Sequence, residues 1–197
     1  MARPRKDPSA PSTPSRILDA GRREFAAQGH SRARLSDIAK SAGIRRPSLL
    51  YHFPTKDELY RAVVAHAFGE MGQALLPILV VDCAVAERLE ALVRSYVEFV
   101  DANPDVARII VHELVVDEGP GQTILLEQVA PLLDRISSFV EREAKLAEDV
   151  PARAAVLHIA TDALLRAASG PAREPLWSDA SADSAWAVAR SLLWRER

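Results

Sequence analysis

From residue 15 onward, apolar side chains recur every three or four positions, and no stretch alternates apolar and polar residues for long enough to make a sheet. The chain therefore predicts an all-α protein. Ile17, Gly21 and Phe25 fall on one face of a first helix, which Gly29 ends. Leu35, Ile38, Ala39 and Ala42 fit a short second helix stopped at Gly43, and Leu49, Leu50 and Phe53 fit a short third closed by Pro54. A fourth opens at Thr55, whose hydroxyl can cap it while Glu58, three residues on, reaches back to the cap N–H. Asp57 and Glu58 also suit the positive end of the helix dipole. This helix runs through Leu59, Val63 and Ala67 to about Pro77.

Five more helices follow, making about nine in all by this periodicity. They cover roughly 85–102, 104–116, 122–147, 151–169 and 182–194. Their breaks are Asn103-Pro104, Gly119-Pro120-Gly121 and Gly170-Pro171, with residues 171–181 expected as a polar connector. Leu89, Leu92, Val93, Tyr96 and Phe99 mark the inner face of the first of these. Ile124, Leu125, Val129, Leu132, Leu133, Ile136, Phe139 and Val140 mark that of the long third.

Charge adds an asymmetry that the hydrophobic pattern does not show. The net charge is −2, yet residues 1–61 carry 13 Lys/Arg against 6 Asp/Glu, and the remainder carries 12 against 21. A basic head on an acidic body fits a nucleic-acid contact at one end. Residues 1–12 are Pro-rich and basic, too poor in apolar side chains to order themselves. They read as a flexible tail whose Arg3, Arg5 and Lys6 can touch phosphates or act only as a solvated arm. The single Cys83, among Val80, Val81, Ala84 and Val85, reads as a buried structural thiol, with a redox-sensing thiol as the alternative. The apolar run near 75–81 is too short to span a bilayer, and no secretory pattern follows the basic start, so a cytoplasmic protein with no membrane partner is expected.

The stretch 35–53 carries the most chemistry. Two short helices meet at Gly43, and the second begins Arg45-Arg46-Pro47-Ser48, where proline costs nothing because a first-turn N–H has no intrahelical partner. A helix-turn-helix presents the start of its second helix to base edges in the major groove. Arg45 and Arg46 can reach phosphates or bind guanine in a bidentate manner, Ser48 and Tyr51 can donate to phosphate, and Leu50 can meet a thymine methyl. His52 and Lys56 can bind phosphate at the edge of the footprint. Ile38, Leu49 and Phe53 are expected in the core, and Lys40 on a solvated face.

Residues 13–73 resemble the DNA-binding region of TetR-family regulators. The resemblance rests on Ile17-Leu18-Asp19-Ala20, Phe25-Ala26-Ala27-Gln28-Gly29, Asp37-Ile38-Ala39, Ala42-Gly43-Ile44, Leu49-Leu50-Tyr51-His52-Phe53 and Pro54-Thr55-Lys56-Asp57-Glu58-Leu59, in that order and spacing. It implies a three-helix DNA-binding domain over 13–73, with the helix-turn-helix near 35–54, and a helical body over 74–197 that binds an effector and dimerises. It further implies a repressor released from a near-palindromic operator on double-stranded DNA by a small molecule. The implied DNA contacts are Arg34, Ser36, Arg45, Arg46, Pro47, Ser48, Leu50, Tyr51, His52 and Lys56. Where the family often has a hydroxyl residue, this chain has Arg34, which cannot cap the second helix. It also has Arg45 where Ser is common and Leu50 where Tyr is common.

In the body, Tyr96, Phe99, His112, Phe139, His158 and Asp162 are polar or aromatic residues on otherwise apolar helices, and each is a candidate for lining an effector pocket or for an isolated satisfied group. Two stripes, Leu157/Thr161/Leu164/Leu165 and Trp186/Ala189/Leu192/Leu193, would join their symmetry mates in a homodimer through the last two helices, or else close the monomer core. An enzyme is not expected. His112-Glu113 lacks the second histidine of a zinc-protease motif, the paired ligand spacing of di-metal bundles is missing, and no phosphate loop or nucleophile elbow occurs. No cofactor or metal is called for.

Overall fold

Ser12 starts the first helix by accepting a hydrogen bond from the Ser15 N–H at 3.3 Å, and Pro14 sits in the first turn, where its missing donor costs nothing. In the computed structural model, which describes residues 11–115, 121–144, 150–178 and 181–193, this helix is α1 (Thr13–Arg32). Gly29 breaks its regular course with φ of 70°, as the glycine signal predicts, although helical turns resume as far as Arg32. Then come α2 (Leu35–Ser41), α3 (Arg46–His52) and α4 (Lys56–Leu75). The Thr55 hydroxyl accepts from the Glu58 N–H at 3.1 Å, so α4 is capped where the sequence placed its start.

The remaining helices are α5 (Val85–Ala102), α6 (Pro104–Val115), α7 (Gln122–Glu143), α8 (Ala152–Ala168), α9 (Arg173–Trp177) and α10 (Ala182–Leu193). Every described element is helical, so the all-α expectation holds. Ten α-helices are described rather than nine, because the expected connector folds a 3-10 turn over Gly170–Ala172 and the short α9. Residues 1–10 with Arg3, Arg5 and Lys6, the break at Gly119-Pro120, the end of the expected 122–147 helix, Trp194 and the side chains of Ile124 and Leu125 lie outside the described residues.

The chain divides into two compact units between Val63 and Val64, inside α4 and ten residues before the expected boundary at 73. In the first unit, Ile17, Ala20, Phe25, Ile38, Leu49, Leu59, Tyr60 and Val63 are buried. Gly21 lets α1 approach α4 closely, since a Cβ there would lie 3.0 Å from the Val63 methyl. Phe53, expected in the core, is only half-buried, because it ends α3 in extended backbone. The turn between α2 and α3 is a Schellman motif: the Gly43 N–H donates to the Lys40 carbonyl at 3.0 Å and the Ile44 N–H to the Ala39 carbonyl at 3.0 Å. That geometry needs φ of +67° at Gly43.

In the second unit α8 is the central helix, packed against α5, α6, α7 and α10. Its buried Ala155, Ala163 and Ala167 keep that helix thin enough for several neighbours. Charge closes one end of the bundle. Arg166, buried to 1% exposure, donates to Asp101 at 3.0 Å, Arg173 donates to the same carboxylate oxygen at 3.1 Å, and Arg108 donates to the Ala168 carbonyl at 3.2 Å. Cys83 departs from expectation. It is half-buried, in a turn after a 3-10 segment (Leu76–Val80) whose Val80 is 83% exposed.

By length and composition, Lys56–Val80 would pass for a membrane span. Leu59, Tyr60, Val63, Val64, Ala67, Phe68, Met71 and Leu75 of this stretch are buried within the protein.

Gly43→Ala is expected to destabilise the first unit by about 1–2 kcal/mol, the cost of a left-handed conformation for a residue with a Cβ. The added methyl would also lie 3.1 Å from the Arg16 guanidinium. Denaturant unfolding of wild type and variant measures this directly, and equal midpoints would contradict it.

Candidate nucleic-acid interface and ligand cavity

The second helix of the helix-turn-helix has one buried anchor and an open outer face. Leu49 is fully buried, while Arg45, Arg46, Pro47 and Ser48 are all exposed and Tyr51 is 84% exposed. Tyr51 therefore takes no part in the core, and its ring meets only His52, edge-on at 5.3 Å between centroids. Leu50 and His52 are half-buried flanks of the same face. Pro47 occupies the first turn of α3, as its chemistry requires. Arg34 stands at the start of α2 with its side chain making no cap, in keeping with its chemistry; it and Ser36 are exposed, as is Lys40. Lys56 is half-buried and donates to the Ser31 carbonyl at 3.1 Å, so its ammonium group also ties α4 back to the end of α1.

Two features of this unit escaped the sequence reading. Arg16, on α1, donates from Nε to the Ala42 carbonyl at 3.1 Å and from Nη2 to the Gly43 carbonyl at 3.2 Å, with a further short Nη2 contact to Ala42. It clamps the turn from 26 residues away, and no local spacing announces such a tie. The second is an aromatic cluster: Tyr60 lies edge-on to Phe25 at 4.8 Å and to His30 at 5.0 Å, and His30 Nε2 lies 2.9 Å from Asp57. It locks the start of α4 against α1, which in turn carries the Arg16 clamp.

The second unit encloses a cavity of about 160 Å³ between α4, α5, α6, α7, α8 and α10. Its wall includes Phe68, Met71, Leu89, Val93, Leu132, Ile136, Leu164 and Leu193. Of the six pocket candidates, Tyr96 lines it. Its hydroxyl donates to the Ala160 carbonyl at 3.0 Å, and burial raises the phenol's ionisation above its ordinary range.

The other five lie elsewhere. Phe99 is half-buried outside the cavity wall, and Phe139 is buried beneath the Arg88 guanidinium, 5.2 Å from the ring centroid. His112 is exposed beside Glu113, at 3.5 Å. His158 and Asp162 are exposed, and Asp162 accepts from the Trp177 indole at 3.0 Å. Helix phase explains these last two. Val156, Ala160 and Leu164 of α8 face the cavity, and a residue two positions on points about 200° away. The cavity-facing residues of α4, Phe68 and Met71, were not named from sequence because a buried apolar face reads the same whether it meets a neighbouring helix or a void.

The two proposed dimer stripes divide. Leu164, Ala189 and Leu193 are buried within the unit and close its core, Trp186 and Leu192 are half-buried, and Leu157, Thr161 and Leu165 stay exposed.

Residues 17–63, the span that holds the clamp, the turn and α3, match the family described as bacterial regulatory proteins, tetR family. Over these residues the chain matches the TetR family. The HTH-type transcriptional regulator SrpR of Pseudomonas putida is 30% identical to this chain over 135 residues, 68% of this chain and 60% of that protein. The HTH-type transcriptional activator FasR of Mycolicibacterium smegmatis is 25% identical over 130 residues, 66% of this chain and 59% of that one. The chain thus matches about three fifths of the length of these two relatives. The solved structure of AibR in complex with isovaleryl coenzyme A and operator DNA shares the fold, with a TM-score of 0.73 at 15% identity over 92% of this chain and 98% of that one.

Replacing Arg16 with Met removes charged donors from two carbonyls and is expected to cost about 1.5–3 kcal/mol. Amide hydrogen exchange should rise first at Gly43 and Ile44. Unchanged exchange at those two amides would mean the clamp does not hold the turn.

Proposed function

We propose that this protein is a DNA-binding transcriptional regulator, a homodimeric repressor released from a near-palindromic operator by a small-molecule effector. One observation carries the reading: α3 buries Leu49 and leaves Arg45, Arg46, Ser48 and Tyr51 all exposed. Among the described residues the side chains of Arg45, Arg46, Ser48 and Tyr51 make no hydrogen bond or ion pair, and they suit phosphates and guanine edges in a major groove. The basic head and acidic body support the same division of labour. The AibR complex, which holds an acyl-coenzyme A and operator DNA on the same fold, supports pairing a DNA head with a ligand-binding body.

Dimerisation would use α8 and α10. Leu157, Thr161 and Leu165 form an exposed stripe along α8, and Val188 is exposed on α10. A second copy covering this face would set two α3 helices one DNA turn apart, about 34–36 Å. The effector would act through α4, whose Phe68 and Met71 line the cavity and whose first turns carry Asp57 and Tyr60. It would shift the equilibrium by its differential affinity for the DNA-competent and DNA-incompetent states.

Selection of random duplex DNA on the purified protein, followed by titration of the selected sequence at two salt concentrations, tests the reading. An inverted repeat bound with steep salt dependence is expected. Arg46→Ala should cost about 1–3 kcal/mol if Arg46 grips a guanine, or lower the salt slope by about one if it grips a phosphate. Unchanged affinity and slope would remove α3 from the interface. Leu165→Glu should convert the dimer to monomer in analytical ultracentrifugation; a persistent dimer would move the interface elsewhere.

A further inference from the structure

The cavity's wall says what kind of molecule can enter it. Among the described residues that line it there is no Asp, Glu, Lys, Arg or His. Its two hydroxyl side chains are already committed as donors: Tyr96 to the Ala160 carbonyl at 3.0 Å, and Thr161 to the Leu157 carbonyl at 2.7 Å. The helical backbone around it spends its N–H groups on its own carbonyls. An anion placed inside would find no cation and no spare side-chain donor to replace its water, and a cation would find no carboxylate. Burying an unpaired charge is so costly that the charged form is excluded. Tyr96 reports the same environment, since burial alone holds its phenol in the neutral form beyond the ordinary range.

The volume, about 160 Å³, is close to that of the roughly 150 Å³ leucine-lined cavity that stays dry and takes up benzene. Leu114, the exposed lining residue outside the α8 face given to a second copy, is uncharged and offers nothing to hold an acidic head group.

The geometry points to a neutral, hydrocarbon-rich molecule as the occupant, about the size of a benzene derivative or a six-carbon chain, bound without a charged group. This deepens, and rests on, the reading of the second unit as an effector domain. It separates this protein's ligand from carboxylates and phosphates, which need a buried arginine or lysine. The buried Arg166 is not available for that role, because it is paired with Asp101 and does not line the cavity.

The test is calorimetric titration of the full chain, without DNA, using two pairs of probes: hexanol against hexanoate, and toluene against benzoate. At pH 7.5 the neutral member of each pair should bind at least about a hundredfold more tightly, a difference of roughly 2.7 kcal/mol. Hexanoate affinity should rise about tenfold for each unit the pH falls toward 5.5, as the neutral acid becomes more abundant. Equal binding of the carboxylates at pH 7.5, a pH-independent hexanoate affinity, or no binding of either neutral probe would each overturn the proposal.

Ile136→Trp should fill the void and abolish hexanol binding. Leu132→Phe is the milder filling variant should the first not fold, and full hexanol affinity in a folded filling variant would place the site elsewhere. A parallel titration of the selected DNA with and without hexanol separates the two readings. If hexanol binds and DNA affinity is unchanged, the cavity chemistry stands and the effector role falls. If hexanoate binds tightly and releases DNA, the effector role stands and the neutral-ligand proposal falls.

Discussion

A left-handed glycine held by a distant arginine fixes the geometry of the helix-turn-helix. Two short helices of seven residues each cannot hold an angle by themselves, because so few intrahelical bonds form in segments of that length. The angle comes from Gly43, whose positive φ lets two N–H groups close back on α2, and from Arg16, which takes up the Ala42 and Gly43 carbonyls. With the turn set, Leu49 is buried while Arg45, Arg46, Pro47, Ser48 and Tyr51 stay exposed.

Helix α4 starts under a threonine cap, meets α1 through Phe25, His30 and Tyr60, and continues with Phe68, Met71 and Leu75 in the wall of the cavity. Its buried residues, Leu59, Tyr60, Val63, Val64, Ala67, Phe68, Met71 and Leu75, follow one another at three- and four-residue steps, the pattern of one buried face, while Arg61, His66 and Gln73 are exposed. In the second unit, polarity and apolarity are sorted by location. The charged cluster of Asp101, Arg166 and Arg173 ties α5, α8 and α9 together, whereas the described residues of the cavity wall are all uncharged. That separation lets one bundle hold a buried arginine and a dry pocket, since each charge has its partner and the void asks for none.

Much of the fold was legible from the residues. Helix periodicity, the Thr55 cap, Gly43, and the Asn103-Pro104 and Gly170-Pro171 breaks are local signals, set by hydrogen bonding and allowed dihedrals within a few residues, and the described elements follow them. The short α9 was not legible, because a one-turn helix between Pro171 and Ser181 has no apolar repeat to mark it. Which face of a helix meets a cavity was not legible either. His158 and Asp162 looked notable because they are polar on an apolar helix, yet they are simply its solvent side, while Tyr96 is inside because α5 turns that face toward α8.

By itself, then, the sequence determined the helical class, the helix-turn-helix with its two leading arginines, and the basic and acidic halves, since each depends on residues close together in the chain. The tertiary structure decided the Arg16 clamp, the His30–Tyr60–Phe25 lock, the division of the α8 and α10 stripes between core and surface, and the uncharged wall of the cavity. Those depend on which distant side chains share a space, and contacts across 26 or more residues are set by the packing of whole helices, which no local pattern encodes.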